Sequence, residues 1–139
     1  MSERDHPIPE IISFIRKSDG RGLCFGRWPS AILETYLRWH HQNGSLVLVE
    51  REGDLVALAV GTKMSEDDID KHWVAWNESG DAMYLSDIVA TTKEGVAACV
   101  DEFSHRCKNW RELKLYACRH GRKVLFKPKM FERILKRWK

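Results

Sequence analysis

The sequence lacks the features that would mark an integral membrane protein or a classically secreted one. Its longest apolar run, Leu55–Gly61, is the length of one β-strand, far short of the ~20 residues that a membrane-spanning helix needs. The first residues, Met1–Pro7, do not have the basic and then apolar order of a signal peptide. We therefore expect a cytoplasmic protein with no membrane span.

Cysteine is present, but not in an arrangement typical of a metal or disulfide site. The four cysteines are separated by 75, 8 and 11 positions, so none forms a CxxC pair. No histidine lies at zinc-finger distance from a cysteine pair. Their neighbours are mostly apolar or small, which favours buried, reduced thiols in an intracellular protein. We expect no disulfide, no metal and no tightly bound cofactor. The cysteines are Cys24, Cys99, Cys107 and Cys118.

Common catalytic signatures are absent as well. The chain contains no GxGxxG or Walker sequence, no HExxH and no nucleophile-elbow glycine pattern. Signatures of an RNP-type sheet or a helix-turn-helix are also missing, so only a basic C-terminus argues for nucleic acid, and we do not favour that partner.

What remains is the composition of one ordinary globular domain over residues 1–139. The chain is 43% hydrophobic and 31% charged, without long polar runs, which argues against disorder. A domain of this length can bury a sizeable core without a disulfide or a structural metal.

Charge is unevenly placed along the chain. Residues 119–139 hold nine Lys or Arg and one acid, Glu132, for a net +8. The chain total is +3, so the preceding residues carry −5. A basic end on an acidic body predicts an acidic partner for that end, with a merely solvated helix face as the alternative.

Hydrophobic periodicity predicts alternating helices and strands, and hence an α+β (α/β-like) fold with a central sheet. Helices are expected over 8–18, from Pro29 to 42, over 91–107, where Thr91 and Glu94 form a capping box, and over 129–139. Strands are expected over 45–51 and 55–61 as a hairpin, then over 82–90, 112–118 and 124–126.

Asp87 is the most unusual residue in the strand pattern. Strict alternation places it on the same face as Leu85 and Val89, which are both apolar. A carboxylate there must be paired or hydrogen-bonded, and such groups are candidates for chemistry. We predict a buried Asp87 in a cleft, bonded to a backbone N–H, a histidine or a tryptophan. The alternative is an aspartate at a bulge or strand end that accepts backbone hydrogen bonds.

Two adjacent histidines, His40 and His41, end the second predicted helix. Either could act as a general base, because imidazole titrates near neutral pH. The alternative is that both are favoured there by the negative end of the helix dipole.

The order of these elements resembles the GNAT-type acyltransferase fold, and short motifs narrow the resemblance. Over roughly residues 20–126 the chain is similar to the toxin-activating lysine acyltransferases of the haemolysin-activating type. The motifs are Arg27-Trp28-Pro29, the hairpin Leu46–Gly61, Trp76 with Ser79-Gly80-Asp81, the strand Tyr84–Ala90, and the turn His120–Val124.

This resemblance implies a GNAT-like mixed sheet flanked by helices, with a basic helix at the C-terminus. It also implies acyl transfer from acyl-carrier protein or a coenzyme A thioester to a lysine amine. The family's catalytic aspartate falls on Asp87, whereas its catalytic histidine is replaced by Phe25. His40 or His41 would then have to supply the base.

Four residues in or beside the matching motifs are candidate substrate-binding residues: Trp28, Arg119, Arg122 and Lys123. The loss of the usual base leaves an alternative function open. The chain could be a catalytically inactive relative that serves as a binding or assembly module, such as a component of a larger particle or an inhibitor of a partner protein.

Overall fold

The structure, a computed structural model, describes residues 7–18, 28–69, 71, 73–119 and 122–137. Four α-helices and five strands lie within these ranges, together with short 3-10 turns at Glu66–Asp68 and Trp110–Glu112. The helices are α1 (Ile8–Ser18), α2 (Ser30–Gln42), α3 (Lys93–Arg106) and α4 (Pro128–Arg137). The strands are β1 (Leu46–Arg51), β2 (Asp54–Met64), β3 (Ala82–Ala90), β4 (Lys114–Arg119) and β5 (Arg122–Phe126).

The five strands form one sheet in the order β1-β2-β3-β4-β5. β3 and β4 run parallel, and every other neighbouring pair is antiparallel. The sheet is therefore mixed, and the predicted α+β fold with a mixed sheet between helices is confirmed. Its arrangement is consistent with the GNAT-like order of elements.

Turn chemistry sets the register of the first hairpin. Gly44 ends α2 with a φ of 73°, and Glu52 and Gly53 have φ values of 55° and 87° in the turn between β1 and β2. Positive φ at both central residues is the conformation that two-residue hairpins favour. β2 then continues to Met64, past the predicted end at Gly61.

The predicted starts of α2 and α3 are displaced by one and two residues. The hydroxyl of Thr92, not Thr91, caps α3, and it accepts a hydrogen bond from the Gly95 N–H at 3.1 Å. Pro29 precedes α2 instead of forming its first turn. Thr92 is the N-cap residue because its backbone is extended, which directs its side chain toward the first free N–H groups of the helix.

Each face of the sheet packs against its own helices. The α3 face packs on α3 and α4, and the α2 face packs on α1 and α2. The α3 face includes Val47, Ala59, Met83, Leu85 and Leu115, while the α2 face includes Leu46, Leu58, Val60 and Val89. Gly61 lies under α3, where a Cβ would come within 2.6 Å of the Phe103 ring. Only glycine permits that close approach.

The predicted basic C-terminal helix is present as α4. Its apolar side packs into the α3 face through Phe131, whose ring lies 6.1 Å from that of Trp110. The cationic side chains of Lys129, Arg133 and Lys136 are exposed on its outer side. α4 is thus held by its core contacts and presents positive charge to solvent.

Candidate functional site

Asp87 lies beside a β-bulge in β3. Gly61 of β2 pairs with Leu85, and the adjacent Val60 pairs with Asp87. One step along β2 therefore matches two steps along β3, which makes Ser86 the extra residue of the bulge. The bulge re-aims the side chain that follows it.

The expectation that Asp87 shares a face with both Leu85 and Val89 is wrong for Leu85. Leu85 packs in the α3 face and Val89 in the α2 face. The extra residue shifts the alternation by one, so Asp87 turns with Val89 toward α2. Its burial is confirmed, since 8% of its surface is exposed.

Two hydroxyl groups donate hydrogen bonds to the Asp87 carboxylate. Tyr36 Oη lies 3.0 Å and Ser86 Oγ 2.9 Å from the same atom, Asp87 Oδ2. Ser86 Oγ also lies 3.4 Å from the carbonyl oxygen of Val60. Both of these partners are hydroxyls, and the bond to a backbone N–H, histidine or tryptophan stays a prediction. Each hydroxyl stabilises the charged carboxylate.

The phenol of Tyr36 is held in its protonated form. Burial and then the negative charge of Asp87 raise the pKa of Tyr36 far above its ordinary value. The phenol is therefore neutral near pH 7, where it donates a hydrogen bond to Asp87.

An aromatic cluster surrounds Tyr36. The ring of Trp28 lies 5.1 Å, that of His40 4.3 Å and that of Trp73 5.4 Å from Tyr36, all edge to face. Trp39 contacts both His40 and Trp73, at 5.0 and 5.5 Å. Trp73 is 46% exposed, so this cluster reaches from the buried carboxylate to the surface.

The two adjacent histidines face different ways. His40 is 2% exposed and lies in the aromatic cluster, whereas His41 is exposed and lines cavities on the far side of α2. Helical geometry explains this, because Tyr36 and His40 are four residues apart and share a face. The structure thus groups His40, and not His41, with Tyr36 and Asp87.

The sheet opens beside Asp87. β3 and β4 pair only from Ala82–Lys114 to Leu85–Ala117. Beyond that point the described pairing of Asp87–Ala90 is with β2, while Cys118 and Arg119 pair with β5. We call the space between these two segments the sheet opening, and Asp87 stands at its start.

The predicted substrate-binding residues are only partly brought together. Trp28 joins the aromatic cluster, and Lys123 is exposed on β5 with its Nζ 5.7 Å from the centre of the Tyr116 ring. The backbones of Arg119 and Arg122 face each other across β4 and β5. Phe25, and the side chains of the two arginines, lie outside the described residues.

Sequence reasoning missed Tyr36 and Ser86 as members of this site. Helical periodicity places Tyr36 with Leu33 and Leu37 on the buried face of α2, where it lies, but its hydroxyl gives no further signal in the sequence. The spacing of Tyr36 and His40 on one helix face was the available clue.

The described residues contain neither a side-chain group suited to a metal ion nor a membrane-spanning helix. Within 7–18, 28–69, 71, 73–119 and 122–137, no group of three or more His, Cys, Asp or Glu side chains is placed to hold a metal ion. In the same ranges, no helix combines the length and the apolar character needed to cross a membrane.

The chain matches no protein-family model, and no curated protein is significantly similar to it.

Proposed function

We propose that this chain is an acyltransferase that uses the site at Asp87 to pass an acyl group from a thioester to a lysine amine. The observation that supports the proposal is a buried carboxylate, fixed by two hydroxyls, at the start of the sheet opening. In GNAT-like folds an opening of this kind admits the pantetheine arm of the acyl donor. The donor would be acyl-carrier protein or a coenzyme A thioester.

The reaction needs a proton acceptor. A lysine ammonium, with a pKa near 10.4 in water, must lose a proton before its nitrogen can attack the thioester carbonyl. The new C–N bond then replaces the C–S bond, and the sulfur leaves as a thiol with a proton. A positioned base contributes about a hundredfold to ten-thousandfold to such a step.

Asp87 and His40 divide these tasks in the proposal. The carboxylate of Asp87 draws the cationic amine into the site and stabilises the charge that develops on nitrogen during attack. His40, which shares the Tyr36 contact, accepts the amine proton. His41 has no part in this mechanism because it faces away from the cluster.

Purified protein, palmitoyl-acyl-carrier protein and a lysine-containing peptide provide the test. Mass spectrometry should detect an acylated peptide, and a thiol reagent should detect equal release of carrier thiol. Asp87→Asn and His40→Gln should each lower the rate by roughly 100-fold, whereas His41→Gln should leave it near wild type. Absence of turnover with both carrier-protein and coenzyme A thioesters would contradict the proposal.

Phe25→His provides a second arm of the same test. The resemblance places the family's base at this position, so the substitution should raise the rate. If neither wild type nor Phe25→His transfers an acyl group or binds a thioester, the acyltransferase proposal is wrong.

A non-catalytic binding or assembly module is the second candidate, and the surface of β5 and α4 favours it. Leu125 is 58% exposed, and Val124 and Met130 are also exposed large apolar residues. Exposed cations surround them in sequence, at positions 123, 127, 129, 133 and 136. Exposed large apolar side chains are typical of protein interaction sites, and the positive charge of the neighbouring residues suits an acidic partner.

A further inference from the structure

The outer edge of β1 has backbone groups that no other described strand pairs with. β1 is the last strand on its side of the sheet and pairs only with β2 in the described part of the chain. The Gly61 N–H donates to the Ser45 carbonyl, so residues 45, 47 and 49 bond toward β2. The N–H and C=O groups of Leu46 and Leu48 therefore point away from the sheet.

Arg106 of α3 occupies part of this edge. Its Nη1 donates to the carbonyls of Leu46 and Gly44, at 3.0 and 2.8 Å, and its Nε donates to Glu102 at 3.1 Å. Among the described residues, Nη2 has no hydrogen-bond partner. The guanidinium thus satisfies the carbonyl that a neighbouring strand would otherwise bind.

A cavity of about 750 Å³ runs along this edge, and we call it the edge groove. Ile8 and Arg38, from α1 and α2, line one wall, Ala98 and Arg106 of α3 line the other, and Leu48 lies at the base. A second cavity of about 470 Å³ continues it toward Gly44 and again includes Leu48 and Arg106. An added strand would lie about 4.8 Å from β1, on the side of β1 whose residues line this groove.

We propose that the edge groove binds an extended peptide segment of a partner protein as an additional strand beside β1, with an acidic side chain of that segment on Arg106. A peptide N–H would replace Arg106 Nη1 as the hydrogen-bond donor to the Leu46 carbonyl. Nη1 would then be released, and together with Nη2 it would present two parallel donors to a carboxylate. Main-chain bonds supply affinity and the arginine supplies selectivity, as in other strand additions.

The walls of the groove favour a single extended segment over a second copy of this chain. Helices on both faces contribute to the same cavity as β1, so the edge is recessed between them. A second copy that offered its own β1 would bring its own flanking helices against these walls. A single extended segment has no flanking helices, so nothing of that kind would meet the walls of the groove.

Selection from a phage-displayed library of random heptapeptides on the full-length protein provides the probe. Enriched peptides should contain alternating β-branched or aromatic residues and one conserved Asp or Glu. A synthetic peptide of the enriched sequence should then bind in isothermal titration. No enrichment, or enrichment without an acidic position, would overturn the proposal.

Leu48→Pro separates binding at this edge from binding elsewhere. Proline removes an N–H that faces outward, a position that an edge strand tolerates, and Leu48→Val keeps the N–H as the control. Affinity should fall roughly tenfold or more in Leu48→Pro and little in Leu48→Val. Equal affinity of both variants would place the peptide elsewhere.

Methylation of the peptide backbone tests the same geometry without any risk to the fold. Methyl groups on the peptide nitrogens that face β1 should abolish binding, whereas methyl groups on the nitrogens that face away from β1 should be tolerated. Loss of binding with both sets of methyl groups or with neither contradicts strand addition. A change from monomer to dimer on peptide-free sedimentation would instead assign the edge to a second copy.

Arg106→Gln tests the acidic position. The variant should bind the Glu peptide and its Gln counterpart about equally, whereas wild type should prefer the Glu peptide roughly tenfold. An unchanged preference in Arg106→Gln would remove Arg106 from the proposal. The proposal does not depend on acyl transfer, so failure of the thioester assays leaves these outcomes unaffected.

Discussion

At the scale of single residues, the site depends on a contact that no local pattern could predict. Tyr36 and Asp87 are 51 residues apart in sequence, and each looks ordinary within its own element. The burial of Asp87 was predictable from its apolar neighbours. Its partners were not, because the bulge at Ser86 decides which helix it faces.

Removing the Tyr36 hydroxyl should destabilise the fold. Tyr36→Phe leaves a buried carboxylate without one of its donors, which costs about 1.5–3 kcal/mol for a bond to a charged group. Urea denaturation at pH 7 measures the change. Tyr116→Phe is the matched control, because the Tyr116 hydroxyl also bonds a carboxylate, that of Glu66, but at the surface. Equal losses in both variants would contradict a special role for the buried pair.

The raised pKa of the Tyr36 phenol predicts how the free energy of unfolding falls at alkaline pH. The pKa of Tyr36 is raised in the folded state by burial and by Asp87, while an unfolded tyrosine ionises near pH 10. Its stabilising contribution is therefore complete below about pH 10 and declines as the pH rises further, by up to ~1.4 kcal/mol per pH unit. Urea midpoints from pH 9 to 11 should fall less steeply in Tyr36→Phe. Tyr116, whose pKa its bond to Glu66 raises, leaves a residual slope in both proteins.

At the scale of elements, periodicity predicted which segments are helices and strands, and local irregularities escaped it. β3 has the predicted bounds, Ala82–Ala90, and β4 covers most of its predicted range, with Leu115 and Ala117 buried. The start of α3 was displaced because Thr91 and Thr92 are chemically identical caps. Only backbone conformation distinguishes them.

Deletion of Ser86 should be tolerated better than deletion of a neighbour. Without Ser86, alternation still places Leu85 on the α3 face and Asp87 on the α2 face, since the bulge residue is the one in excess. Deletion of Ile88 instead moves Val89 to the wrong face. Thermal unfolding, followed by circular dichroism, should show a cooperative transition for the Ser86 deletion. The Ile88 deletion should have a much lower melting temperature or no cooperative transition. The reverse order would show that the bulge itself holds the sheet together.

At the scale of the whole molecule, positive charge is concentrated at one end. The net +8 of residues 119–139 was evident from the sequence, and the structure adds that Lys129, Arg133 and Lys136 all project from one helix into solvent. Charge of one sign on one surface raises encounter rates with an acidic partner.

Charge reversal on this helix should weaken binding to an acidic protein. Lys129→Glu, Arg133→Glu and Lys136→Glu together should lower affinity for acyl-carrier protein and flatten its dependence on salt. Arg51→Glu, Lys93→Glu and Lys108→Glu change the net charge equally at other exposed positions and serve as the control. If both triple variants respond alike, only net charge matters and α4 is not the docking surface.

The short pairing between β3 and β4 predicts which part of the molecule unfolds locally first. Only four residue pairs join the hairpin of β4 and β5 to the rest of the sheet, so this hairpin and α4 form a natural unit of partial unfolding. Amide protons of β5 and the end of β4 should exchange with deuterium together, and faster than those of β1 and β2. The C-terminal cations would then sit on the part of the chain that opens first, where a bound partner would slow exchange across the whole unit.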